Sequence, residues 1–238
     1  PTRRSSDLMA GRNISASHVA FSSSRVMATC AAVGQAAGTA AAFCMEKQCL
    51  PRDLGERVQE LQQRLLRDDQ SLLGVANEDR KDLARQAAIH ASGATPDGPA
   101  EAVIDGWNRD IGDGEPHQWQ CRMEQDGVWI ELSWSSEQLL GQVQITFDTG
   151  LHRKLFITGQ DSEYAQQIRA PQPETVADYA VSVFSQGRWF TVATNRNNIL
   201  RMVRHRFHAV QASRLRVHIQ RTNGDELARI FEIRAYHS

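Results

Sequence analysis

Charge of one sign is missing from this chain: 27 basic against 28 acidic residues leave a formal net charge of -1 over 238 residues. That balance supplies no bulk field for nucleic acid or an anionic membrane surface, so no nucleic-acid partner is expected. Cysteine is scarce too. Cys30, Cys44, Cys49 and Cys121 form no C-x-x-C pair, and nothing in them demands an oxidising compartment. Three of them lie in or beside one run of small residues, where buried thiols pack as small hydrophobes. The common catalytic signatures are also absent. There is no H-E-x-x-H, no G-x-S-x-G and no Walker A sequence. His205 and His208 lack a Cys or carboxylate at ligand spacing and do not read as a metal pair. A G-x-G-x-x-G turn for a dinucleotide pyrophosphate is missing as well.

What is present begins with the run from Val33 to Ala42, VGQAAGTAAA. It reads as a helix whose first turns are nearly all small residues, with its start expected near Gly34 and Gln35. Such a helix lets another group press against its backbone, and its N-terminal amides favour an electron-rich ligand. Val26 to Met45 carries no charge, and Gly34-x-x-x-Gly38 has the spacing of a transmembrane dimer face. Alanine dominates that stretch, however, and Thr29, Gln35 and Thr39 interrupt it. A buried helix of a soluble domain is expected, with no membrane span.

Downstream, Asp53 and Glu56 have capping-box spacing, and Leu54, Val58, Leu61 and Leu65 follow at helical intervals. An amphipathic helix is expected there. Residues 77–92 read as a charged connector. Beyond it the period becomes two: Val128, Ile130, Leu132 and Trp134; Val143, Ile145 and Phe147; Tyr179, Val181 and Val183; Leu215, Val217 and Ile219; then Phe231, Ile233 and Ala235. Short strands between Gly, Asn and Asp turns indicate an all-β sandwich, each strand with one core face and one solvent face. The expected class is α+β: a mostly helical segment over 9–76, then a β-sandwich over 93–238. Residues 1–8, PTRRSSDL, match a reading frame of a common sequencing adapter and are set aside as an artefact. Arg3-Arg4 is too far from the apolar run for a twin-arginine signal. Cytoplasmic and exported settings both stay open.

Met9 to Cys44, MAGRNISASHVAFSSSRVMATCAAVGQAAGTAAAFC, resembles the last cofactor-contacting segment of FAD-dependent oxidoreductases. The resemblance implies an AGR turn, a Ser/His loop, and a GQAAGTAAA helix whose N-terminus faces the flavin pyrimidine. Gly34, Gln35, Ala36, Gly38 and Thr39 would then lie against FAD, the two glycines allowing close backbone approach. Gly11 would let the chain leave its strand beside the ribityl chain, and Arg12 or Asn13 would bond a phosphate or ribityl hydroxyl. His18 is the implied proton-transfer residue, and Arg25 the implied holder of an anionic substrate group. Since the pyrophosphate turn is missing, the chain is expected to be the C-terminal part of a larger flavoprotein. Its partner would be the N-terminal FAD-binding region of the same protein, and alone it would be inactive.

A second resemblance rests on Ala91-Ser92-Gly93-Ala94, Ala102-Val103-Ile104-Asp105-Gly106, Trp119, Val128-Trp129-Ile130-Glu131-Leu132, Leu215-Arg216-Val217 and Ala228-Arg229-Ile230-Phe231-Glu232-Ile233. In that order they are similar to the discoidin, or coagulation-factor type C, jelly roll. One departure is the Gln/Asp-Gly-x-x-Trp turn, present only as Ser185-Gln186-Gly187-Arg188-Trp189. A carbohydrate ligand is expected for the sandwich, with Trp107, Trp119 or Trp129 stacking on a sugar ring where exposed, buried core tryptophan being the commoner case. The resemblance also implies a structural calcium ion on Asp105 and Glu232, although the residues themselves favour Asp105 as the cap of its Asp-Gly turn. The cluster Arg201, Arg204, His205 and Arg206 reads as a solvated strand split between two faces. Two functions follow: an oxidoreductase part with an accessory sandwich, or a stand-alone glycan- or surface-binding module.

Overall fold

The computed structural model describes residues 8–154 and 160–237. The chain divides into two compact units, Pro1–Asn77 and Glu78–Ser238. Of the adapter-like residues, 1–7 lie outside the described residues.

In the first unit Gly11–Asn13 forms a 3-10 turn, followed by α1 (His18–Ser24), α2 (Met27–Lys47), a second 3-10 segment (Pro51–Arg57) and α3 (Val58–Arg67). α1 was not anticipated, because its span reads as a polar loop. The Ser17 side chain accepts the Ala20 N–H at 3.3 Å, and that cap sets its start. Asp53 is not the N-cap that its spacing to Glu56 suggests: it stands third in the 3-10 segment capped by Leu50, whose N–H it accepts at 2.9 Å, and α3 begins only at Val58. α2 and α3 run antiparallel. Gln35 Nε2 donates to the Asp68 carbonyl at 3.3 Å, and Lys47 pairs with Glu60 at 3.1 Å. Between them Ala40, Phe43 and Cys44 are buried, as are Leu65 and Leu66.

The second unit is an antiparallel β-sandwich. Its strands are β1 (Ala88–Ala91), β2 (Trp119–Arg122), β3 (Val128–Phe147), β4 (Val176–Ser185), β5 (Arg188–Asn195), β6 (Met202–Thr222) and β7 (Leu227–Tyr236). They pair in the order β2-β7-β3-β6-β4-β5, with β1 on β3. β3 and β6 are long enough to serve both layers. Residues 128–133 of β3 pair with β1 and with 214–219 of β6, while 138–147 pair with 202–212 of β6 and with β7. The register shift between Ser133 and Gln138 separates the two halves. One core fills the space, built from Val128, Ile130, Leu132, Ile145, Phe147, Val181, Leu215, Val217, Ile230 and Trp119 among others.

Two expectations need correction. Residues 77–92 are not a free connector: Leu83–Gln86 is a 3-10 turn with Ala84 fully buried, and β1 pairs with β3. β7 has no solvent face either, since Ile230 through Tyr236 are all buried. The segments Leu83–Gln86 and Ala100–Ile104 pack against it, and Asp82 Oδ1 accepts the Ala235 N–H at 3.0 Å. Alternation in β7 therefore separates a core face from a second, covered face.

Candidate functional site

The cofactor segment of the first unit is laid out differently from the resemblance. α2 opens at Met27, its first bond running from the Cys30 N–H to the Val26 carbonyl at 2.9 Å. Gly34 and Gln35 therefore lie two turns inside, where each N–H serves the carbonyl four residues back. No helix breaker stands between Val26 and Gly34, so the Ala-rich run extends toward its N-terminus. The amides left for a ligand belong to Met27, Ala28 and Thr29. A Cβ added at Gly34 or Gly38 would meet nothing within 4 Å. Gly38 is exposed and Gly34 half-buried on that face, while Gln35 is turned toward the end of α3. By length and composition alone α2 is also apolar enough to cross a membrane.

Gly11 has φ +71°, a left-handed conformation natural to glycine, and turns the chain ahead of exposed Arg12 and Asn13. His18 is the first residue of α1 rather than a loop residue, and Arg25 follows its last. Both are exposed, and Arg25 lies 5.9 Å from the Phe21 ring centre. They share a face but stand about 10 Å apart along the axis. They converge on one substrate atom only if another group bridges them.

In the second unit, a cavity of about 170 Å³ is lined by Asp110, Gln118, Gln120, Asp148, His152, Arg229 and Phe231. Asp148 lies just past β3 and is 1% exposed. Its Oδ1 accepts the Gly150 N–H at 2.8 Å, while Oδ2 meets Gln118 Nε2 at 3.4 Å and Arg229 at 3.5 Å. His152 stands 3.8 Å from both Asp148 and Glu174. Glu174 is held below the usual carboxylate range by Arg153, whose guanidinium donates to it at 2.8 and 3.0 Å. Arg229 Nε is buried without a partner among the described residues, so the wall retains an unused donor. Polar donors and acceptors line a space of monosaccharide scale, floored by the buried Phe231. Sequence reasoning missed this set because its members come from four separate segments; the one local signal is Asp148-x-Gly150 at a strand end.

The expected calcium ligands have other partners. Asp105 Oδ2 lies 2.7 Å from His117 Nδ1, and its Oδ1 accepts the Trp107 N–H at 2.8 Å, so it does cap its turn. His117 also reaches Asp113 at 3.1 Å. Burial pulls the His117 imidazole down, but its bonds to Asp105 and Asp113 win and hold it above its ordinary value. Burial pushes Asp105 up, against the bond from His117, whereas Asp113 lies below the carboxylate range. Exposed Asp113 is thus the firmer anion of the clamp. Glu232 is buried against Arg234 at 2.8 Å. Among the described residues no group of three His, Cys, Asp or Glu is placed to hold a metal ion. A carboxylate neutralised by Arg and one bound to His do not fit a calcium site.

Trp119 is fully buried with its indole N–H on the Gly93 carbonyl at 2.9 Å, which removes it as a sugar platform. Trp107 and Trp129 are half-buried. The basic cluster divides between faces: Arg204 and Arg206 bond Gln144 and Gln142, while His205 turns to the Tyr179 hydroxyl at 2.9 Å. Burial lifts that hydroxyl to about 12.

Residues 2–65 match the family model of the FAD dependent oxidoreductases. This segment is flavoenzyme-like. Residues 82–152 match a domain of unknown function, DUF7402. No curated protein matches the chain. Solved structures similar to it include chitosan-binding module 1 from a chitosanase/glucanase of Paenibacillus sp. IK-5, at 18% identity and TM-score 0.47, covering 65% of this chain and 98% of that one. Another is the family 32 CBM of Clostridium perfringens NanJ in complex with galactose, at 15% identity and TM-score 0.47, covering 65% and 97%. A third, also from Clostridium perfringens, is in complex with GalNAc-β-1,3-galactose, at 13% identity and TM-score 0.48, covering 65% and 99%. At TM-scores below 0.5 these likenesses transfer no residue role.

Proposed function

We propose that this chain supplies the last flavin-contacting segment of an FAD-dependent oxidoreductase and carries an accessory sandwich that binds carbohydrate. The observation that carries the first half is the family match over 2–65 coinciding with an α2 face that no described residue covers at Gly34 and Gly38. FAD, when bound, supplies the hydride acceptor. The Met27, Ala28 and Thr29 amides, which have no carbonyl partner within α2, would favour negative charge on the flavin pyrimidine. Arg12 and Asn13 serve a phosphate or ribityl hydroxyl. His18 holds or gives a proton on the substrate side, and Arg25 pairs with an anionic substrate group.

The remaining FAD contacts, above all the pyrophosphate turn, come from an N-terminal region of the same protein. That region also covers α2, so the helix is buried in protein rather than lipid, consistent with Thr29, Gln35 and Thr39 along it. The chain of 238 residues alone is inactive and retains no stoichiometric FAD. Recovering the upstream reading frame tests this: a G-x-G-x-x-G strand-turn-helix supports the reading, and an upstream region without one sinks it.

For the sandwich, the loop cavity is the carbohydrate subsite. Gln118, Gln120 and Arg229 donate to sugar hydroxyls, and Asp148 and Asp110 accept. A structural calcium ion on Asp105 and Glu232 forms no part of this reading. The independent core of Glu78–Ser238 favours the second reading, a binding module that works without the oxidoreductase. Galactoside binding that is lost on His152→Ala supports the carbohydrate role under either reading.

A further inference from the structure

Cross-strand register assembles a second polar face on the layer formed by β1, the first half of β3, β6, β4 and β5. Trp129, Glu131 and Ser133 project from β3 opposite His218, Arg216 and Arg214 of β6. His90 stands beside Glu131 on β1, and Phe184 and Trp189 extend the row through β4 and β5. Arg216 is fixed. It donates twice to Glu131, at 3.0 and 2.7 Å, and lies 4.4 Å from the Trp129 ring centre and 4.5 Å from that of Trp189. Glu131, 5% exposed, is thereby neutralised.

Arg214 is the group left over. Its guanidinium approaches Glu131 only to 3.8 Å, beyond hydrogen-bond length, and packs 5.1 Å from the Phe184 ring centre. Its side chain is 49% exposed and makes no hydrogen bond to the described residues. His90 is likewise exposed on the edge strand. Both border an open depression of about 570 Å³ with Trp129 as one wall. The fixed charges here are two arginines against one carboxylate, leaving a single positive charge beside an aromatic wall.

We propose that this face is a second saccharide site, specific for a carboxylated polysaccharide built of uronate residues and separate from the loop cavity. One uncompensated guanidinium per depression matches a polymer with one carboxylate per sugar ring. Arg214 takes the carboxylate as a two-pronged donor, His90 bonds a ring hydroxyl, and Trp129 meets the apolar face of the sugar. A nucleic acid or a multiply phosphorylated peptide needs several uncompensated cations, and the chain as a whole carries a net charge of -1.

The test is calorimetric titration of the full chain with oligogalacturonate and, separately, a neutral galacto-oligosaccharide. The proposal expects oligogalacturonate to bind, and Arg214→Gln to weaken that binding about tenfold, the scale of one charge-assisted hydrogen bond. Raising salt from about 50 to about 500 mM weakens it similarly. Arg214→Gln leaves the neutral sugar unaffected, and His152→Ala, in the loop cavity, leaves oligogalacturonate unaffected. Should Arg214→Gln fail to fold, indole emission of the unaltered chain must still change with oligogalacturonate and not with the neutral sugar. No uronate binding, uronate binding lost with His152→Ala instead, or Arg214-dependent binding of DNA in its place overturns the proposal. Loss of neutral-sugar binding alone counts against the loop cavity and not against this face.

Discussion

Replacing Glu232 by Gln separates a structural carboxylate from a calcium ligand. Glu232 is 2% exposed and Arg234 fully buried, with 2.8 Å between Oε2 and Nε. The substitution keeps the side-chain volume, so no cavity opens. It removes one partner of a buried ion pair and leaves the guanidinium charge without its counter-ion, which costs about 3–5 kcal/mol. Tyr236 is a second polar neighbour of the Arg234 guanidinium, which places the expected loss near the lower end of that range. For a protein of this length, each kcal/mol shifts the melting temperature by roughly 2–4 °C. A fall of about 6–12 °C is therefore expected in thermal unfolding of the second unit's transition. The fall must be the same with excess calcium and with chelator. A loss below about 1 kcal/mol, or one that appears only when calcium is present, refutes the reasoning.

Three further outcomes follow from particular contacts. The His117 imidazole is held above its ordinary value by Asp105 and Asp113. Its contribution to stability is therefore full below about pH 6.5 and is lost as pH rises through the raised value. The stability difference between the unaltered chain and His117→Asn should shrink across that window in chemical denaturation, and a difference that grows with pH contradicts the clamp. Gly127→Ala sets a Cβ 2.4 Å from the Ile219 carbonyl oxygen at φ +82°. It should cost about 1–3 kcal/mol in the same assay, and an unchanged midpoint contradicts the register of β3 on β6. Phe43→Ala removes the buried ring between α2 and α3 and should cost the first unit about 3–5 kcal/mol, seen as early amide exchange over 27–67. Exchange unaltered by that substitution contradicts the packing of the two helices.

Much of the sandwich is legible in the sequence because residues 128–134 of β3, 179–183 of β4 and 215–219 of β6 set a buried apolar residue at every second position. β1, β2 and β5 are not, since four to eight residues with mixed polarity carry too little period to stand out. β7 shows how the pattern misleads: alternation marks two different faces, but only tertiary packing decides whether the second meets water or Asp82 and Ala100–Ile104. The helix start is a related case, since small residues give strong helical propensity and no boundary, so Gly34 looks like a beginning when Val26 is. The candidate sites divide the same way. The open small face of α2 is a local property and readable. The loop cavity joins Gln118, Asp148, His152 and Arg229 from distant segments, and no local pattern announces it. The aromatic and arginine face is half legible: Trp129, Glu131 and Ser133 alternate outward, as do Arg214, Arg216 and His218, but their pairing depends on register.

The central claim, that α2 is part of a flavin site completed elsewhere in the same protein, is tested most directly by the visible absorbance of the complete protein after purification. Flavin absorbance at one FAD per chain is expected for the complete protein, and none retained by residues 1–238 alone. A colourless complete protein that also fails to take up added FAD would contradict the claim.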